Sequence, residues 1–179
     1  GESITREEAL KLYRELPVTE LLSLGNSVRF QKVKERAVSW QIDRNINYTN
    51  ICNSRCQFCN FYASSANGTT PYILTLDQYK ERIDQLFAVG GDQILLQGGL
   101  HPKLDIEYFE QLFRSLKEYA PSLKLNALGP PEIIHIASVS GIEVKEVLIR
   151  LREAGLDSLP GAGAEILSNR VRKAISPNK

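Results

Sequence analysis

TLDQYKERIDQLFAVGGDQILLQGG, residues 75–99, decides how this chain folds. Thr75 and Gln78 stand three apart, the spacing of a capping box, and Leu76, Tyr79, Ile83, Leu86 and Phe87 follow on one helical face until Gly90 and Gly91 stop it. The apolar run 93–97 is too short for a helix and reads as a buried strand, closed by Gly98 and Gly99. A helix delivered straight into a buried strand is the repeating step of a parallel α/β sheet.

The same step recurs downstream. Asp105 can cap a helix with Ile106, Phe109, Leu112, Phe113 and Leu116 inward, Pro121 breaks it, and 123–128 reads as the next strand. After residues 129–131 comes a short helical stretch, then a helix with Val144, Val147, Leu148 and Leu151 inward and Gly155 at its end, a fourth strand over 156–159, and a helix over 165–174. Upstream, residues 38–48 alternate and are rich in β-branched and aromatic side chains, the pattern of a first strand. Residues 1–37 read as a helical lead-in: Thr5-x-x-Glu8 caps a helix with Ala9, Leu12, Tyr13 and Leu16 inward, Pro17 ends it, and a second helix runs from Thr19 or Ser23 toward Arg36. Residues 38–179 then hold about four βα units, half of a TIM-type (β/α) barrel, which in full takes about 250 residues. An open, flavodoxin-like sheet is the alternative; either fold places its site at the loops that follow the strands.

Composition narrows the function. With 42% hydrophobic residues in 179, the chain has material for a core. Its 22 basic and 21 acidic residues cancel to a net charge of +1, so it carries no electrostatic footprint of a nucleic-acid or anionic-membrane partner. No apolar run nears the roughly 20 residues that span a bilayer, and the amino end has no secretory core, so the cytoplasm is the expected compartment. There is no methionine, even at position 1, and the chain is expected to be a fragment.

Cys52, Cys56 and Cys59 are the only cysteines and fall within eight residues, a pattern of metal ligation and not of a disulfide scaffold. Three thiolates on so short a loop can grip three corners of a cuboidal iron-sulfur cluster and leave the fourth iron open, whereas electron-transfer clusters are closed by four cysteines. A structural zinc site completed by His101 is the alternative.

The spacing C-x-x-x-C-x-F-C directly after a first strand resembles the signature of the radical S-adenosylmethionine superfamily. DRNINYTN (43–50), LQGGLHP (96–102) and GLDSLPGAGAEIL (155–167) resemble that superfamily's menaquinone and deazaflavin branch. GPPEI (129–133), RVR (170–172) and ISP (175–177) are most similar to the cyclases of the futalosine route to menaquinone. The resemblance implies a [4Fe-4S] cluster on Cys52, Cys56 and Cys59, S-adenosyl-L-methionine on the open iron, and cleavage to a 5'-deoxyadenosyl radical. It also implies a small nucleoside-derived substrate and a reductant such as flavodoxin or ferredoxin.

By the same resemblance, Gln97, Gly98 and Gly99 lie where the cofactor's methionine portion is met, a place suited to glycine because no Cβ blocks close approach. Leu100 follows where many members carry an acidic residue. Phe58 stands for the aromatic near the adenine or shields the iron from water, and Tyr62 is open to the same readings. Glu165 is implied in cofactor binding, and Arg170 or Arg172 in pairing with its carboxylate. The small residues 161–164 would turn the chain tightly into the last helix.

Asn45, Asn47 and His101 are candidates for substrate contact. Asn45 and Asn47 share one face of a strand, either inside the barrel or outside it. Asn50 flanks the same strand end. Asn126 stands where the branch has a histidine, His135 reads as a packed helix residue, and no catalytic base is assigned. The expected activity is cyclisation of a futalosine-type substrate. Aminofutalosine synthase and deazaflavin-forming synthase families are the nearest alternatives; a non-catalytic metal-binding module or an inactive barrel fragment are the others.

Overall fold

The computed structural model describes residues 3–64, 68–161 and 165–178. The chain forms two compact units, which meet in sequence between Trp40 and Gln41.

In the first unit, α1 (Arg6–Glu15) starts at the expected capping box: the Glu8 amide donates to Thr5 Oγ1 at 3.2 Å and the Thr5 amide to Glu8 Oε2 at 2.8 Å. Those hydrogen bonds hold the exposed Glu8 carboxyl below its ordinary pKa. Pro17 caps the next helix, α2 (Val18–Lys32), which begins earlier and ends sooner than its apolar pattern suggests. Proline fits that boundary because the first helical turn needs no amide from it.

In the second unit, β1 (Asp43–Asn47), β2 (Gln93–Gln97) and β3 (Lys124–Ala127) form a parallel sheet in the order β1-β2-β3. Ile46 pairs with Leu96 and Leu96 with Ala127, so the three strand ends lie level. Between strands run α3 (Leu76–Ala88) and α4 (Ile106–Tyr119); α5 (Pro130–Ser140), α6 (Val144–Glu153) and α7 (Asn169–Ile175) follow. The Thr75–Gln78 capping box forms, and the Asp105 carboxylate accepts from the Tyr108 amide at 3.1 Å, so α3 and α4 start where the sequence places them.

Alternation sorts the two faces of the sheet. Ile46, Ile94, Leu96, Leu125 and Ala127 are buried in one core with Tyr79, Ile83 and Leu86 of α3, Phe109, Phe113 and Leu116 of α4, and Val147 and Leu151 of α6. Asn45, Asn47, Leu95, Gln97 and Asn126 therefore occupy the opposite face, where none is fully buried. Arg150 of α6 grips Glu110 of α4 through Nε at 3.2 Å and a second guanidinium nitrogen, lowering the Glu110 carboxyl pKa.

Three expectations need correction. The first strand starts at Asp43 and not at 38: Val38 and Trp40 are 78% and 79% exposed, so nothing buried selects an extended ladder there. The fourth strand, expected over 156–159, is a single parallel bridge, Asn126 to Ser158. There the Ala127 amide donates to the Ser158 carbonyl at 2.9 Å, while the Asp157 carboxylate takes the Leu125 amide at 2.7 Å that a longer ladder would have paired. The last helix is α7, shorter than the 165–174 pattern, and Glu165 precedes it with a left-handed φ of 62°. Positions 162–164 of the small-residue turn lie outside the described residues.

Phe113 is fully buried and contacts Phe109 edge-on at 6.4 Å between ring centres. Phe113→Ala is expected to lower stability by about 3–5 kcal/mol, measured by urea unfolding; a loss near zero would contradict a single core under the sheet.

Candidate functional site

The cysteine loop is fastened before it reaches its first thiol. Tyr48 extends the β1 ladder, its amide donating to the Gln97 carbonyl at 3.3 Å. Thr49 and Asn50, nearly inaccessible, then tie down residues 70–74: Asn50 Nδ2 donates to the Thr70 carbonyl at 3.0 Å, its Oδ1 accepts from the Tyr72 amide at 3.0 Å, and Thr49 Oγ1 donates to the Tyr72 carbonyl. Asn50 is thus an anchor beneath the loop.

Within the loop, the Ser54 amide lies 3.4 Å from Cys52 Sγ and its hydroxyl 3.2 Å from Cys56 Sγ, so one serine touches both sulfurs. Arg55 has a left-handed φ of 49° between them, a strained turn of the kind found where geometry is dictated by a site. The Cys59 amide donates to the Cys56 carbonyl at 3.0 Å, and the Gln57 amide to the Ile175 carbonyl at 2.8 Å, which fixes the loop's far side to the end of α7. All three thiols are free.

Gly98 and Gly99 carry this loop. A Cβ on Gly98 would stand 2.8 Å from the Tyr48 ring, and one on Gly99 would collide with the Ile51 carbonyl and come within 2.9 Å of Cys52 Cβ. The pair is required by the chain that lies on it, whatever else approaches. Gly99→Ala is expected to cost about 1–3 kcal/mol by forcing the cysteine loop off the strand end; an unchanged unfolding midpoint would contradict that contact.

A cavity of about 340 Å³ opens over the strand ends, and Cys52, Cys56, Asn47, Gln97, Gly98, Glu132, Phe61 and Gly161 are among the residues that line it. Asn47 Nδ2 donates to the Gln97 carbonyl at 3.1 Å, and Gln97 Nε2 to the Gly161 carbonyl at 3.2 Å. Of the residues singled out in the sequence, the cavity gathers Cys52, Cys56, Asn47, Gln97 and Gly98. Gly99 lies beneath the loop, and Cys59 is half-buried outside the lining.

Asn45 is exposed one pleat away, and Ser158 Oγ donates to Asn126 Oδ1 at 2.9 Å. Phe58 is 53% exposed and outside the cavity, where Phe61 stands instead. Glu165 and Arg170 are exposed, and Arg172 lines a second cavity of about 360 Å³ with His135 and Asn178, separated from the first by Leu100 and Pro131, which border both.

His101 Nδ1 accepts from the Lys103 amide at 3.1 Å, and burial first, then Lys103 and His135, lowers its pKa, consistent with a neutral ring. Its carbonyl lies 2.8 Å from His135 Nε2, which must be the protonated nitrogen because a carbonyl only accepts.

Two lining residues lie within quoted motifs, GPPEI and the cysteine spacing, but are given no role of their own by the sequence. Glu132 is buried: its Oε1 accepts from the Tyr48 hydroxyl at 2.9 Å and the Gly98 amide at 3.0 Å, and its Oε2 from the Gly129 amide at 2.6 Å. Ser54 is the other. The helix start GPPE was the available signal for Glu132, since a glutamate three residues past a cap reaches back to it.

The fit of an iron-sulfur cube can be judged on these donors. Two free thiols open on one cavity across a shared serine, and the third lies one tight turn further on. Among the described residues no three His, Cys, Asp or Glu side chains are grouped so as to hold a metal ion. A cube spreads its thiolates over separate irons, so the thiols that would hold it need not converge on one atom. No helix among the described residues is long and apolar enough to cross a membrane.

Comparison with known proteins agrees with this geometry. Residues 46–179 match the radical SAM superfamily. Over 181 aligned residues the chain is 42% identical to cyclic dehypoxanthine futalosine synthase of Streptomyces coelicolor, covering 100% of this chain and 45% of that protein. It is 40% identical to 5-amino-6-(D-ribitylamino)uracil–L-tyrosine 4-hydroxyphenyl transferase 2 of Methanosarcina barkeri, covering 98% of this chain and 44% of that one. The chain thus spans about half the length of the curated relatives it matches. Its fold matches the crystal structure of methylornithine synthase (PylB) with a TM-score of 0.72 at 20% identity, over 100% of this chain and 49% of the other. The α/β architecture is therefore that of a partial radical SAM barrel. The chain belongs to the radical SAM superfamily, whose members use a [4Fe-4S] cluster and S-adenosyl-L-methionine.

Proposed function

We infer that this chain is the cluster-bearing part of an enzyme that cyclises dehypoxanthine futalosine in menaquinone biosynthesis. The observation that carries the reading is the placement of Cys52 and Cys56 on a cavity at the level ends of three parallel strands. The choice of substrate is supported by the 42% identity to cyclic dehypoxanthine futalosine synthase. The 40% identity to the tyrosine 4-hydroxyphenyl transferase favours a second reading, transfer chemistry on a related substrate, and the aminofutalosine and deazaflavin synthases belong to the same set of alternatives.

Cys52, Cys56 and Cys59 would hold the cluster, Gln97 and Gly98 would border the cofactor, and Gly99, expected beside it, would instead support the cysteine loop from beneath. When bound, the cluster and S-adenosylmethionine supply a 5'-deoxyadenosyl radical for hydrogen abstraction. The chain's own contribution is to orient and to exclude water. Asn47 and Gln97 present amide groups on the face away from the helices, where a nucleoside's hydroxyls and ring edges find both donors and acceptors. Asn45 and His101 remain candidates beside them, and Arg172 is better placed than Arg170 to meet an anionic group because it borders a cavity. An electron donor such as flavodoxin or ferredoxin, and the reducing cytoplasm that keeps such thiols free, belong to the same proposal.

Anaerobic reconstitution of the full-length protein is expected to load about four irons and four sulfides. With a reductant, S-adenosylmethionine and dehypoxanthine futalosine it should form 5'-deoxyadenosine and a cyclised product. Cys52→Ala, Cys56→Ala and Cys59→Ala should each abolish turnover. Tight zinc binding without iron would refute the reading, and substrate turnover without cyclisation would favour the transferase or synthase alternatives.

A further inference from the structure

At least three donors converge on Glu132, each from a residue just past the end of a different strand: Tyr48 after β1, Gly98 after β2, Gly129 after β3. The carboxylate is 6% exposed, yet it borders the same cavity as Cys52 and Cys56. Tyr48 reinforces the arrangement. Its ring lies over Gly98 and meets Phe109 edge-on at 5.3 Å, and its hydroxyl is also 3.2 Å from the Gly99 carbonyl. The hydroxyl has one proton, and the carboxylate is the stronger acceptor.

We propose that Glu132 is a positioning residue for the cofactor site, pinning the three strand ends so that the Gly98–Gly99 step and the cysteine loop resting on it keep one spacing, with Tyr48 as its partner. The proposal rests on the reading of this cavity as the cluster and S-adenosylmethionine site. Both carboxylate oxygens accept, Oε1 from two donors and Oε2 from one. A glutamine in the same place keeps the shape but offers one acceptor oxygen and two N–H groups, so three inward donors cannot all be served and an N–H is turned against an amide N–H. Leu128, which leads into this corner, holds a left-handed φ of 60° while its amide donates to the Leu96 carbonyl at 2.8 Å, so the turn that brings Gly129 to the carboxylate is itself held under strain.

The test compares the full-length wild type with Glu132→Gln and Tyr48→Phe after anaerobic reconstitution. It reads iron content, unfolding midpoint, the S-adenosylmethionine dissociation constant and the change S-adenosylmethionine makes in the reduced cluster's electron paramagnetic resonance spectrum. Glu132→Gln is expected to retain about four irons while its affinity for S-adenosylmethionine falls about tenfold or more, with the spectral change diminished in step. Tyr48→Phe, which removes one donor and keeps the ring packing, should weaken affinity about fivefold. A Glu132→Gln protein that binds S-adenosylmethionine like the wild type overturns the proposal. Should that variant fail to fold or to load iron, Tyr48→Phe decides, and wild-type affinity in its loaded form overturns the proposal equally. A wild type that takes up no cluster refutes the site reading itself, and the proposal falls with it.

Discussion

A carboxylate removed from water must be met by donors, and at Glu132 those donors are the ends of the sheet. Burial of an unpaired charge costs several kcal/mol, and Tyr48, Gly98 and Gly129 offset that cost at Glu132. The N-terminus of α5 adds its partial positive charge to the same point. The effect reaches Tyr48, whose phenol is held well above its ordinary pKa by burial first and by Glu132 second, so it stays a neutral donor. A parallel sheet aligns its strands by slanted ladder bonds along their length; this contact aligns them at the edge where the loops begin.

From that edge the rest of the site follows by alternation. A buried Ile46 commits Asn45 and Asn47 to the far face, a buried Leu96 commits Leu95 and Gln97, and Leu125 with Ala127 commit Asn126. One face is apolar because helices cover it. The other gathers amides, and the cysteine loop folds over its rim, held from below by Asn50 and from outside by the carbonyl of Ile175.

The parts of this fold legible in the sequence are those set by local chemistry. Thr75 and Gln78, or Asp105 alone, begin a helix wherever the chain places them, and an apolar stripe such as Leu112, Phe113 and Leu116 buries itself on the one sheet available. What the sequence does not disclose depends on distant partners. The alternation in 38–42 resembles a strand, but Val38 and Trp40 meet no buried surface that would select one. The apolar 156–159 stretch resembles a strand too, yet Asp157 spends its carboxylate on the Leu125 amide and on Lys117 Nζ at 2.7 Å, and pairing stops after Ser158. Which way Asn45 and Asn47 point is undecidable from period two alone; the helices decide it.

The candidate site divides along the same line. Cys52, Cys56 and Cys59 are readable because three thiols on one short loop stand at a fixed spacing in sequence. For Glu132 only the local reach back to Gly129 is readable, because Tyr48 and Gly98 lie 84 and 34 residues away and meet it only in space. The glycine pair shows how the two kinds of information meet. Glycine at 98 and 99 reads as room for a ligand, whereas the Tyr48 ring and the Ile51 carbonyl fill that room from within the chain. A ligand in the cavity would therefore meet the exposed side of a surface whose other side is already packed, and the cysteine loop rests on the same glycine step that Tyr48 and the Glu132 carboxylate hold.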